Sequence, residues 1–310
     1  MKIAVTSRSF SKNTFLKSEL LKKYPNVKFN DSGASLTDKN LIEFLSECEK
    51  AITALEVIDE DILAHLPNLK VISKYGVGID MIDLKAMSNH GIKLGWQGGV
   101  NKRSVSELTL AAMISLRHHS IFANQEVRQK RWYQVRGNLL SNATIGIIGC
   151  GHIGKDLVKL LRPFDCKILS YDIVNYADFY KENKVEPTNL ETLLSDSDIV
   201  TLHIPLDEST KNFLSKERLS MMKEGSILIN YARGGLIDEP AMKQKILDKK
   251  LSGVALDVLS IEPPNDFDLA TMDNVFITPH IGGSTEESIK KMGLAAIDGL
   301  DQAFNPTELI

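Results

Sequence analysis

The chain has 310 residues, 43% of them hydrophobic, which is more than one core usually organises and enough apolar material for two domains. Its 37 basic and 40 acidic side chains leave a formal net charge of −3 and an isoelectric point near 6.2, without a basic cluster, which argues against nucleic acid or a membrane surface as partner. The start MKIAVTSRSF lacks the apolar run of a signal peptide, no window reaches a membrane span, and Cys48, Cys150 and Cys166 form no C-x-x-C pair, so a reducing, cytoplasmic setting without disulfides or zinc is expected.

From residue 1 to about 97, short apolar runs alternate with helical patterns: IAVTS, a helical stretch over 11–23, AITAL, VISKYG and GIKLG. Such alternation predicts a compact α/β unit. Residues 101–130, free of glycine and proline, predict one long helix with Ser104 and Glu107 as its capping box. A second alternation runs through TIGIIG, KILSYD, DIVTLHIP, SILINYA, LSGVALDV and NVFITPH. These strands are apolar at nearly every position, as in a parallel sheet covered on both faces, and predict a doubly wound domain. The closing stretch STEESIKKMGLAAIDGLDQAF carries another Ser-x-x-Glu signature and predicts a last helix packed on the first unit. With no repeat or flexible linker, the boundaries fall at Gly98-Gly99 and Gly282-Gly283. The expected domains are a discontinuous one, residues 1–98 with 283–310, and an inserted one, residues 99–282.

The sharpest motif is Gly149-Cys150-Gly151-His152-Ile153-Gly154, a G-x-G-x-x-G that follows the strand ATIGII and opens the helix HIGKDLVKLL. In that context Gly149 permits the tight turn, Gly151 lets a pyrophosphate approach the backbone, Gly154 allows helix and strand to touch, and the helix amino terminus offers amides to the phosphates. The next strand ends at Asp172, 18 residues beyond Gly154, where an acid would hydrogen-bond the ribose hydroxyls; no arginine follows to accept a 2′-phosphate, so NAD is expected rather than NADP. Without that setting, the motif would be read as an ordinary glycine turn.

Three polar residues follow later strands of the same sheet: Arg233 after SILINYA, Glu262 after VALDVLSI and His280 after NVFITP. Open α/β sheets collect ligands at the carboxyl ends of their strands. Together the three supply a cation for a carboxylate, a proton-transfer group and an acid to orient it. Taken singly, Arg233 before Gly-Gly reads as a surface loop residue, Glu262 beside Pro263-Pro264 as the start of a turn, and His280 after a proline as a structural histidine; only their joint placement at one sheet edge favours chemistry.

Read over nearly its whole length, the chain resembles the D-isomer-specific 2-hydroxyacid dehydrogenases, through KYGVGIDMIDL, NKRSVSELTL, IGIIGCGHIG, LHIPLDEST, INYARGGLIDE, ALDVLSIEPP and TPHIGGSTEE; the last resembles the phosphoglycerate dehydrogenase branch in particular. The resemblance implies an α/β fold in which a Rossmann domain is inserted in a flavodoxin-like substrate domain. It also implies catalytic roles for Arg233, Glu262 and His280, a place for Asp257 near the nicotinamide carboxamide, and cofactor contacts at His203, Pro205, Ala232 and Gly282. On the substrate side it implies backbone amides of Tyr75, Gly76, Val77 and Gly78 for the carboxylate, and Asn101 nearby. The long helix after Asn101 corresponds to the family's dimer interface, which implies a homodimer. Structural readings stand beside these for His203, the glycine turn at 76–78 and Asn101 as a helix cap.

The best match for the substrate is 3-phosphoglycerate and 3-phosphohydroxypyruvate, with an unphosphorylated acid of glyoxylate, hydroxypyruvate or lactate type as the alternative, and an NAD(H)-sensing corepressor-like module as the other class. One departure bears on that choice. Phosphoglycerate dehydrogenases commonly carry an arginine where this chain reads Thr53-Ala54-Leu55-Glu56, so the usual phosphate ligand is missing. Lys102 and Arg103 are candidates to replace it, or are a solvated pair at a helix start, and Trp96 either shapes the pocket or fills a core. The chain ends soon after its closing helix, so no regulatory carboxyl-terminal domain is expected. His118 and His119, being adjacent, point apart and cannot form a zinc-binding helical pair. Cys150, at a helix amino terminus, is a candidate for a lowered thiol pKa.

Overall fold

The computed structural model describes residues 1–309, which divide into two compact units, Met1–Asn101 with Thr285 onward, and Lys102–Ser284. In the first unit β1 (Ile3–Val5), β2 (Val27–Phe29), β3 (Lys50–Thr53), β4 (Val71–Lys74) and β5 (Lys93–Gly95) pair in parallel in the order β2-β1-β3-β4-β5. That is the flavodoxin-like order. Side chains alternate across the sheet, so Ala4, Ala51 and Ile72 enter one core with Leu41, Leu63 and Met87, while Ile3, Val5 and Ile52 enter another with Phe10, Leu16 and Leu20.

The closing helix Glu286–Gly299 belongs to this unit and lies against β4 and β5. Ser73 donates to the Ala296 carbonyl (2.7 Å), and a Cβ on Gly95 would stand 2.3 Å from the Gly299 carbonyl oxygen, so glycine is required for that approach. The helix is capped by Thr285, whose hydroxyl accepts from the Ser288 amide, and not by Ser284 as the Ser-x-x-Glu spacing suggests.

In the second unit β6 (Thr144–Ile148), β7 (Lys167–Tyr171), β8 (Val185–Pro187), β9 (Ile199–Leu202), β10 (Ser226–Asn230), β11 (Leu251–Leu256) and β12 (Val275–Ile277) form one parallel sheet ordered β8-β7-β6-β9-β10-β11-β12. This is the Rossmann order 3-2-1-4-5-6 with one strand added, and its switch point lies between β6 and β9, where ligands bind in such sheets. Ile145 and Ile147 face one core and Ile148 the other.

The segment 101–130 is two helices, Lys102–Arg117 and Ser120–Arg128, where the glycine- and proline-free pattern predicts one. The break has a tertiary cause. His119 takes a left-handed backbone (φ 51°), and the Arg117 carbonyl accepts from the Asn138 amide (2.8 Å) as residues 137–139 return against the helix end. Ser104 is no capping residue either: it sits inside the first turn and donates to the Gly282 carbonyl (2.6 Å). β2 and β8 are edge strands of three residues that the sequence pattern does not announce, being only half-buried or broken by polar and proline positions. Among the described residues no helix is long and apolar enough to cross a membrane, and no group of His, Cys, Asp or Glu is placed to hold a metal ion.

Candidate active site

The glycine loop leaves β6 and enters the helix His152–Leu161. Gly149 has φ +93°, and a Cβ there would lie 2.7 Å from the His203 carbonyl oxygen; a Cβ on Gly154 would lie 2.3 Å from the Gly149 oxygen. Gly151 differs: a Cβ would meet nothing within 4 Å, and no side chain caps the helix at that residue. Gly149 and Gly154 serve packing, whereas Gly151 keeps open the space above the helix amides. His152 is exposed there, and Ile153 packs inward while its carbonyl accepts from Ser106 (3.3 Å). These features fit a pyrophosphate.

Asp172 stands just past β7. Its Oδ2 accepts from the Cys150 amide (2.6 Å) and its Oδ1 from the Val174 amide (2.8 Å), so it ties the glycine loop to the next strand. Cys150 corrects an expectation: its thiol is fully buried, and burial pushes its pKa up to about 11. Desolvation of the thiolate outweighs the helix terminus.

His203 follows β9. Its Nε2 contacts the Thr201 hydroxyl (3.0 Å), its Nδ1 is enclosed without a hydrogen-bond partner, and burial lowers its pKa to about 3, so the ring is neutral. Pro205, nearby and exposed, accepts at its carbonyl from Thr210 (2.8 Å).

The three candidate catalytic groups follow the adjacent strands β10, β11 and β12. Asn230, a fully buried residue that the sequence reading missed, ends β10; its Oδ1 accepts from the Ala232 amide (3.1 Å) and its Nδ2 donates to the Arg233 carbonyl (2.7 Å). Arg233 is thereby set on a braced turn, its Nη1 donating to the Ala232 carbonyl (2.8 Å). Gly234 then passes so close to the next loop that a Cβ would lie 2.0 Å from the Leu259 carbonyl carbon. Only glycine lets the Arg233 and Glu262 loops touch.

After β11, Glu262 is oriented by accepting the Leu259 amide on Oε1 (2.9 Å), and Glu239 holds the same loop through the Ser260 amide and hydroxyl (2.7 and 2.9 Å). The other oxygen of Glu262 meets His280 Nδ1 at 2.7 Å. His280 has φ 55°, a backbone region that non-glycine residues enter at a cost and that clusters at functional sites. Asp257 holds it there. Buried at 2% exposure, it accepts from the Thr278 hydroxyl (2.5 Å) and the Ile281 amide (2.8 Å) on one oxygen and from the Gly282 amide (2.6 Å) on the other. The signal for Asn230, Asp257 and Thr278 was present in the sequence as polar residues ending apolar strands.

With Glu262 ionised, Nδ1 of His280 carries its proton and Nε2 is the nitrogen left for exchange. Imidazole and carboxylate side chains are 47% and 36% exposed, so the pair is reachable. Arg103 pairs its guanidinium with the buried Asp156 through two contacts (2.9 and 3.0 Å), so part of its charge is already engaged.

On the first unit, Tyr75 is a core residue: its ring meets Phe10 edge-on at 5.4 Å and its amide donates to the Thr53 carbonyl (2.8 Å). Any amides for a ligand therefore come from Gly76, Val77 and Gly78. Trp96 donates from its indole to the Val77 carbonyl (3.0 Å), bracing that loop. Asn101 is 8% exposed and its Oδ1 is buried without a hydrogen-bond partner.

A Rossmann sheet carrying a carboxylate-oriented histidine at its ligand edge defines a dinucleotide-dependent oxidoreductase. Comparison with known proteins narrows this class: residues 110–282 match the family "D-isomer specific 2-hydroxyacid dehydrogenase, NAD binding domain". The chain is 36% identical over 246 residues to hydroxypyruvate reductase of Thermotoga maritima, covering 78% of this chain and 79% of that protein. It is 34% identical over 262 residues to D-3-phosphoglycerate dehydrogenase of Methanocaldococcus jannaschii, covering 83% of this chain but 50% of that protein. Among solved structures, D-lactate dehydrogenase from Aquifex aeolicus complexed with NAD and lactic acid superposes with a TM-score of 0.85 at 28% identity, over 96% of this chain and 93% of that one. The chain belongs to the D-isomer-specific 2-hydroxyacid dehydrogenase family and is an NAD-dependent oxidoreductase acting on the CH–OH group of 2-hydroxyacids. These comparisons give no support to a corepressor-like module, and the relatives divide among substrates, so membership of the phosphoglycerate branch does not follow.

Proposed function

We propose that the chain interconverts a small 2-keto acid and its D-2-hydroxy acid, with His280, Glu262 and Arg233 as the catalytic set. The observation that carries this reading is the 2.7 Å contact between His280 Nδ1 and Glu262. NAD(H) supplies or accepts the hydride. In reduction, His280 gives the Nε2 proton to the carbonyl oxygen, and Glu262 stabilises the imidazolium beforehand; in oxidation, the neutral ring takes the hydroxyl proton. Arg233 grips the carboxylate and polarises the adjacent carbonyl. Asp172 receives the ribose hydroxyls, the glycine loop from Gly149 to Gly154 takes the pyrophosphate, and His203, Pro205, Ala232, Asp257 and Gly282 line the cofactor. Gly76, Val77, Gly78 and Asn101 contact the acid.

For the substrate, an unphosphorylated acid such as glyoxylate or hydroxypyruvate fits better than 3-phosphohydroxypyruvate. The loop after β3 presents Leu55, 69% exposed, and the carboxylate of Glu56, which accepts the Ala54 amide (2.6 Å). An acid at that position opposes a dianionic phosphate. The phosphorylated acid remains the second reading, on the strength of TPHIGGST. NADH oxidation followed by absorbance against glyoxylate, hydroxypyruvate, pyruvate, 2-oxoglutarate and 3-phosphohydroxypyruvate tests both. Preference for the phosphorylated acid reverses the substrate assignment, and silence with every acid overturns the reaction.

We further propose a homodimer in the cytoplasm. Val127, Trp132, Tyr133 and Leu139 are all at least half exposed on and after the helix Ser120–Arg128, a grouping that a second copy would cover. Sedimentation of a monomer at micromolar concentration would remove this assembly.

A further inference from the structure

Lys74 is 6% exposed, and among the described residues it is the one lysine or arginine in the buried set. It ends β4, directly before the loop Tyr75-Gly76-Val77-Gly78, at the carboxyl edge where parallel sheets collect ligands. Its ammonium donates to the Ala54 carbonyl at the end of the neighbouring strand, and Glu56 takes the Ala54 amide, so both polar groups of Ala54 are held by charged side chains. The Lys74 Cε lies 3.7 Å from the point where a Cβ on Gly76 would stand, which puts the end of its side chain against the glycine turn.

A second observation comes from the adjacent strand. Thr53 is the register partner of Lys74, so both side chains leave the same face of the sheet. Thr53 is 1% exposed, and its hydroxyl oxygen is buried without a hydrogen-bond partner. Buried hydroxyls are nearly always satisfied, and one that is not, beside a buried ammonium at a ligand edge, points to a ligand atom.

We infer that Lys74 and Thr53 form the charged floor of the anchor for the substrate carboxylate, beneath the amides of residues 76–78. An ammonium shielded from water attracts an anion far more strongly than one at the surface, so it makes the site select an acid over its neutral analogue. This rests on the 2-keto acid reading above and adds to it a specificity-determining cation.

The test compares NADH-dependent reduction of pyruvate and glyoxylate with that of pyruvamide and glyoxylamide, in wild type, Lys74→Met, Lys74→Arg and Thr53→Val. Removing one member of a buried charge pair supports an expected rise in KM for the acids of about 30-fold or more in Lys74→Met, with kcat changed only a few-fold. The acid-over-amide ratio of kcat/KM falls by a similar factor, Lys74→Arg restores most of it, and NADH affinity stays put. Thr53→Val raises KM for the acids by about 10-fold or more, as for one lost hydrogen bond to a charged group. If Lys74→Met does not fold, Lys74→Arg and Thr53→Val decide. A residue that merely supports the fold would lower kcat and thermal midpoint together while leaving the acid preference intact, and that result overturns the inference. Loss confined to 3-phosphohydroxypyruvate also overturns it, by making Lys74 a phosphate ligand. Wild-type inactivity on every acid defeats the reaction itself, whereas an active wild type with an unchanged preference in the variants defeats only the anchor.

Discussion

Replacing Gly151 and Gly154 separately by alanine distinguishes clearance for a ligand from clearance for the fold. At Gly154 the added Cβ would lie 2.3 Å from the Gly149 carbonyl oxygen and 3.3 Å from Ile147 Cγ2. An ordinary carbon–oxygen contact needs about 1 Å more, so helix His152–Leu161 must move off the strand, and overpacking of that kind costs roughly 1–3 kcal/mol. At Gly151 the Cβ meets no protein atom within 4 Å, and the backbone (φ −73°, ψ −144°) lies only just past the extended region, so stability changes by no more than about 1 kcal/mol. The methyl would instead stand where the pyrophosphate approaches. The expected pattern is a lowered urea midpoint for Gly154→Ala, and a near-normal midpoint for Gly151→Ala with NADH dissociation weakened by about 10-fold or more. Urea unfolding and NADH fluorescence titration read the two quantities independently. Wild-type NADH affinity in Gly151→Ala would refute the reasoning about the loop.

His280→Asn should reduce kcat by about 10²–10⁴-fold while leaving NADH affinity intact, as for loss of a general acid–base group, and near-normal turnover would remove His280 from the mechanism. His203 provides a pH test. Its folded pKa of about 3 lies below the value of about 6.5 expected in the unfolded chain, so the unfolded state binds the extra proton between those values. Stability from this group is therefore complete above pH 6.5 and declines as pH falls, by up to about 1.4 kcal/mol per pH unit. His203→Gln should flatten urea-midpoint curves between pH 6.5 and 4 relative to wild type, and parallel curves would mean the ring is protonated when folded.

The parts of the molecule legible in sequence are those written in local pattern. Apolar residues predominate in β6, β7 and β9–β12, so a polar residue just beyond such a run, such as Asp172, Arg233 or His280, falls at the ligand edge wherever the strand is recognised. Helix caps also carry their own signal, although the Ser-x-x-Glu spacing misplaced the cap of the closing helix by one residue. What depends on a distant segment left no such trace. The helix over 101–130 is broken by residues 137–139 docking on the Arg117 carbonyl, which no pattern within the helix reveals.

Cys150 and Lys74 show the same limit acting on chemistry. From sequence, a cysteine at a helix amino terminus reads as a thiol made acidic by the helix dipole, while Lys74, ending a strand, draws no reading at all. The thiol reading holds only where the side chain remains near water. Cys150 instead turns inward toward Ser170 and Tyr180, where loss of hydration outweighs the dipole and the thiol becomes less acidic. Lys74 is enclosed at a ligand edge, where the same loss of hydration strengthens its attraction for an anion. Burial therefore quiets the thiol, which escapes desolvation by keeping its proton, and strengthens the pull of the ammonium on an anion that reaches it.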